Sequence, residues 1–132
     1  MKKFAMPKQV ETIFGKPFRI IDYNHPAEKE GEEQKFIEKA SMVNLLTLMI
    51  YGIPRDKLTT KDSIEAGRFM SRLRNTQDGA LTLEEAEHDW IKDIVEKHGT
   101  SVFGVNATIL IDFLDSFERL HEAKDKEKKE GN

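Results

Sequence analysis

From Ser41 onward the apolar residues fall at helical steps. Met42, Leu45, Leu46, Met49 and Ile50 recur three and four positions apart, which predicts a helix buried over a broad face. Gly52, with Pro54 just beyond, supplies its stop. Thr59-x-x-Asp62 and Thr60 offer the next N-cap, because a side-chain oxygen can accept the free amide hydrogens of a first turn. Ile64, Gly67, Met70 and Leu73 then form the stripe of a second helix. A glycine in a helix interior costs about 1 kcal/mol against alanine, and close approach of a neighbouring helix is the expected offset at Gly67.

After a turn over residues 75–79, Thr82-x-x-Glu85 reads as a capping box. Leu83, Ala86, Trp90 and Ile94 follow as the inner face of a third helix that ends at His98-Gly99. A fourth helix is predicted from about Ser101 to Ala123, with Asn106, Ile109, Leu110, Phe113, Phe117 and Leu120 inside. Before the helices, Val10–Phe14 and Phe18–Asp22 are two short β-rich runs around Gly15-Lys16-Pro17 and predict a hairpin. Asn24 to Gly31 is a loop, and Gln34 to Lys39 fits either a third short strand or the first turns of a helix. The expected fold is mainly α: a four-helix core within one domain over residues 10–122, with a short N-terminal β-hairpin. Residues 1–9 are expected to be a flexible lead. The Lys- and Glu-rich run 123–132 has no apolar stripe and is expected to be a disordered tail.

A length of 132 residues fits that single domain. The charged fraction of 34% exceeds the usual ~25% and places the excess on solvated helix faces. Without cysteine, disulfides, thiolate metal sites and thiol catalysis are excluded. Lys2 and Lys3 open the chain as in a signal peptide, but Gln9, Glu11 and Gly15 interrupt any apolar segment behind them. The uncharged stretch from Ala40 to Gly52 is too short to span a bilayer. A cytoplasmic protein without membrane contact is expected.

Two metal motifs need testing. Glu85-x-x-His88 and Glu118-x-x-His121 resemble half of a di-iron carboxylate site, since residues three apart project from one helix face. At about 100° per residue, however, Glu85 and His88 point away from the stripe of Leu83, Ala86, Trp90 and Ile94. They are therefore expected on a solvated face. A calcium loop with Gly79 at its sixth position would put Arg74 at the first ligand position, where the ion needs a carboxylate. No G-x-S-x-G, phosphate-cradling glycine loop or H-E-x-x-H occurs, so neither catalysis nor a cofactor is expected.

Charge cut into segments is more informative. Residues 55–74 carry six basic and three acidic residues, net +3, and residues 75–98 carry two basic and seven acidic, net −5. Arg68 and Arg72, four apart, share a helix face, and with Arg74 and Lys61 they form the candidate partner-binding surface. One reading is nucleic-acid contact by this basic helix and the basic N-terminus. The other pairs the basic helix with the acidic one, inside the chain or between copies. A total charge of −3 favours the second, because nucleic-acid domains usually show a strong basic balance. Asn106, among apolar neighbours, is expected to be a buried structural amide that needs hydrogen-bond partners.

The order of segments resembles small helical proteins encoded by tailed bacteriophages and prophages. The matches are Gly15-Lys16-Pro17, Val43-Asn44-Leu45-Leu46, the run from Leu81 to Lys92, Val95-Glu96-Lys97, Val102 to Ala107, and Leu114-Asp115. The resemblance implies a non-enzymatic accessory, assembly or host-modulating factor in the host cytoplasm, and it implies no site residues.

Overall fold

The computed structural model describes residues 1–76 and 79–119. The expected tail 123–132 and the second metal-motif histidine, His121, lie outside the described residues. The described element order is β1 (Lys2–Ala5), β2 (Ile20–Ile21), β3 (Phe36–Ile37), α1 (Met42–Tyr51), α2 (Thr60–Arg74), β4 (Ala80–Leu83), α3 (Glu85–Phe103), α4 (Ala107–Leu114) and β5 (Glu118–Arg119). Single 3-10 turns lie at Arg55–Lys57 and Gly104–Asn106.

The expected four-helix core is corrected, among the described residues, to three helices of ten residues or more, followed by the short α4. The predicted helix from Ser101 to Ala123 does not form as one rod. Gly104, at φ +58°, takes a conformation that L side chains avoid, so α3 ends there and the chain turns before α4. Residues 118–119 are extended. Gly99, expected to end the third helix, lies inside α3. A Cβ on Gly99 would meet Ala107 Cβ at 3.0 Å, so this glycine lets α4 pack closely on α3. Gly67 has nothing within 4 Å, and the close approach expected there does not occur.

Within the stretch 1–9, expected to be a flexible lead, Lys2–Ala5 instead form the central strand of a three-stranded antiparallel sheet, in the order β4-β1-β5. Lys2 pairs with Leu83 and Arg119, and Phe4 pairs with Leu81. Alternate residues of a strand face opposite sides, so Phe4, Leu81 and Leu83 point to the core and are almost fully buried. Phe4 packs 5.2 Å from Phe113 and 6.0 Å from Phe117, ring centre to ring centre. Full burial of such a ring contributes about 1.5–3 kcal/mol. Lys3, Ala5, Ala80 and Thr82 take the outer face.

Of the expected hairpin, the turn forms: Thr12 N donates to Lys16 O at 2.7 Å, Gly15 sits at φ +76°, and Glu11 bridges Pro17. Its second run returns along the first only as far as Phe18, whose amide donates to Val10 O at 3.0 Å. β2 pairs instead with β3, which makes residues 36–37 a strand rather than a helix start. The loop and the helices are joined at Ala40, which receives a hydrogen bond from Val10 N and donates to Phe18 O, both at 2.9 Å.

Helix starts follow the chemistry of the free amides. Ser41 and Asn44 cap α1 reciprocally, at 3.1 and 2.9 Å, and Thr59 and Asp62 do the same for α2. The box expected at Thr82-x-x-Glu85 is shifted: Thr82 belongs to β4, and Glu84 N donates to Glu87 Oε1 at 2.8 Å. With that shift the inner face of α3 becomes Glu87, His88, Ile91, Ile94, Val95, Gly99 and Phe103. Ala86 is exposed and Trp90 half-buried. In α2 the buried pair is Phe69 and Leu73, while Ile64 is exposed. Among the described residues no helix is long and apolar enough to cross a membrane.

Candidate functional site

The basic residues picked out by charge are divided by the fold. Arg68 and Arg72 line one cavity of about 300 Å³ with Ser71, Asn75, Thr76 and Thr82, between the C-terminal half of α2 and the outer face of β4. Arg74 is exposed and lies outside that lining. Lys61 belongs to a different groove, between α2 and α3, with Glu65, Asp89, Trp90 and Asp93.

The basic helix does pair with acidic partners inside the chain. Arg72 Nε donates to Glu87 Oε2 at 3.1 Å, and Glu87 is buried at the first turn of α3. Its other oxygen already accepts the Glu84 amide, so one carboxylate both caps α3 and fixes the guanidinium of α2. Arg68 Nη1 meets Glu65 Oε1 at 3.2 Å on an exposed surface, a pair worth about 0–1 kcal/mol. Ser71 and Asn75 were not singled out by charge, although positions 68, 71, 72 and 75 share one helical face. Thr82 joins them only through tertiary folding.

His88 is the larger surprise. Expected on a solvated face, it is 4% exposed, because Leu83 belongs to a strand and does not set the phase of α3. Its Nδ1 lies 2.8 Å from Lys2 Nζ and its Nε2 2.7 Å from the carbonyl of Leu114. Lys2, also 4% exposed, reaches Glu85 Oε2 at 3.0 Å and rests 4.4 Å above the Phe117 ring. The ring of His88 stacks on Phe4 at 5.6 Å. This cluster is packed and hydrogen-bonded, with no described cavity leading into it. Among the described residues no three His, Asp or Glu side chains gather as a metal cage.

Asn106 is half-buried rather than buried. Its Oδ1 accepts the amide of Ile13 at 2.9 Å, which ties the 12–16 turn to the end of α3. The buried amide expected there is thus a surface clamp, since Gly104 turns the chain before position 106 can face the core. Asp62, the N-cap partner of α2, also accepts from the indole of Trp90 at 3.1 Å. That bond, followed by the Thr59 amide, holds its carboxyl below the usual aspartate value.

A third feature is apolar. Phe14 is 75% exposed, Val105 64% and Ile13 48%, and the Asn106–Ile13 bond brings these three to one corner. Two residues before Val105, Phe103 lines a shallow groove of about 250 Å³ with Phe18, Ile21, Phe36, Leu48 and Val102. Ile21 and Phe36 are themselves exposed. Arg19 lies 3.7 Å over the Phe36 ring and bonds Glu38.

Comparison of the chain with known protein families, with curated proteins and with solved structures finds no match.

Proposed function

We propose that this chain is a non-enzymatic interaction protein, an accessory, assembly or host-modulating factor of a phage or prophage, and that its first partner is a second copy of itself. The observation that carries the reading is the set of exposed apolar side chains Ile13, Phe14 and Val105, brought near one another by the bond between Asn106 and Ile13. Exposed apolar patches mark contact sites, and aromatic side chains are the usual anchors of such contacts. The phage assignment rests on the resemblance of segment order alone.

Static light scattering over a wide concentration range tests it. The mass should rise above the 15.2 kDa of one chain, and a Phe14→Glu/Val105→Glu variant of unchanged circular dichroism should stay at one chain's mass. A wild type that scatters as a single chain at every concentration would overturn the reading.

A further inference from the structure

We propose that the cavity between α2 and β4 is a binding site for a small phosphate-bearing ligand, held by Arg68 and Arg72. It shares no lining residue with the apolar groove or its corner, so it stands independently of the self-association reading. The argument begins with unused donors. Arg72 is fixed by its Nε bond to Glu87, and its two terminal nitrogens make no bond to a described residue. A guanidinium oriented in this way offers a preorganised fork to oxyanion oxygens. Ser71, Asn75 and Thr82 add two hydroxyls and one amide whose side chains carry no hydrogen bond in the described structure. Thr76, by contrast, is already committed to the carbonyl of Leu73.

Arg68 is the adjustable member. Its exposed contact with Glu65 has little worth in water, so exchange of that carboxylate for a phosphate costs little. Lys3 pairs with Thr82 on the outer face of the sheet, where directly opposite residues have Cβ atoms about 4.5–5.5 Å apart. A third cation therefore stands next to the cavity rim. Glu87 also lines the cavity and its charge offsets that of Arg72, but its oxygens are engaged by the Glu84 amide and the Arg72 Nε, so the terminal nitrogens of Arg72 stay available as donors.

Two other described concavities have the opposite character. The hollow of loop 24–35 carries Glu28, Glu32 and Glu33, and the groove at Trp90 carries Glu65, Asp89 and Asp93. Among the described cavities only the one between α2 and β4 combines two guanidinium groups with uncommitted neutral donors. Its volume of about 300 Å³ is the size of a small phosphate-bearing molecule rather than of a continuous diester backbone.

The test is a titration of the folded chain with pyrophosphate and with inorganic phosphate, followed by backbone amide NMR shifts at low, constant ionic strength with chloride as the control anion. Saturable shifts should centre on Ser71, Asn75 and Thr82, with at least tenfold weaker binding in Arg68→Gln and in Ser71→Asp. Both substitutions are at exposed positions and should leave the amide spectrum otherwise native. Arg72→Lys, which keeps the charge but loses the fork, should also weaken binding. Shifts equal to those caused by chloride, or unaffected by the variants, would overturn the proposal. So would binding of a single-stranded oligonucleotide at least tenfold tighter than pyrophosphate and lost in the same variants, which would mark a nucleic-acid surface instead.

Discussion

The ammonium of Lys2 donates to Nδ1 of His88 at 2.8 Å, across 86 positions of sequence. A carbonyl can only accept, so the 2.7 Å contact of Nε2 with Leu114 O assigns the ring hydrogen to Nε2 and leaves Nδ1 as the acceptor. The first residue of β1, the first turn of α3 and the end of α4 are thus locked together through one imidazole.

Removal of either partner strands the other in a site with almost no solvent. Lys2→Met keeps the length of the side chain but deprives His88 Nδ1 of its donor. The expected loss is about 1–3 kcal/mol in urea unfolding. His88→Leu should cost at least as much, because it leaves a buried ammonium with one acceptor fewer. The double variant should lose clearly less than the sum of the two, since the shared interaction is lost only once. Strict additivity would show that the pair contributes nothing as a pair.

The two mid-helix glycines should respond in opposite directions to the same substitution. Gly67→Ala adds a methyl group in open space and should stabilise the fold by about 0.5–1 kcal/mol. Gly99→Ala places its methyl 3.0 Å from Ala107 and 3.2 Å from Val95, and should destabilise by about 1–3 kcal/mol. Adding Ala107→Gly should recover part of that loss. Thermal unfolding of the three variants decides the matter.

Trp90 is the sole tryptophan of the chain, so its emission reports on Asp62 directly. The Asp62 carboxyl lies below the ordinary aspartate value of 3.8, chiefly through the indole bond. A depressed carboxyl contributes stability that is present above the ordinary value and lost as pH falls through the depressed one. Acid titration should therefore show an emission change below pH 3.8 that is absent from Asp62→Asn. A change that persists in that variant would locate its origin elsewhere.

Asn106→Ala should release the 12–16 turn without unfolding the core. Hydrogen exchange of the Ile13 amide should accelerate by about fivefold, the equivalent of about 1 kcal/mol for one lost bond. Exchange at Ile91 and Leu110, both fully buried, should not change.

Local signals in the sequence specify structure where partners lie within a few residues. The cap at Thr59-x-x-Asp62 and the inner face of α1 at Met42, Leu45, Leu46 and Met49 are of this kind. Local pattern does not reveal structure where a long-range partner decides. β1 escaped notice because its inward positions are Lys2 and Phe4, so a charge sits where alternation would show an apolar residue. That ammonium is tolerated only because His88, Glu85 and Phe117 receive it, and none of them is near in sequence. Inclusion of Leu83 in the helix then rotated the expected face of α3 and sent His88 to solvent. Arg68 and Arg72 were visible as a charge pattern, whereas Thr82 opposite them came from a strand whose pairing no local rule reveals.

The place of β1 in the sheet also sets an order of events. Of the three strands it is synthesised first, yet both its neighbours come much later, at residues 80–83 and 118–119. Until then its backbone donors and acceptors have no partners on either side, and the sheet can close only when almost all the described chain is available. Contacts this distant in sequence slow folding, because loop closure must be met before they form. Maturation of this small protein is therefore expected to be a late, all-at-once event rather than a stepwise one.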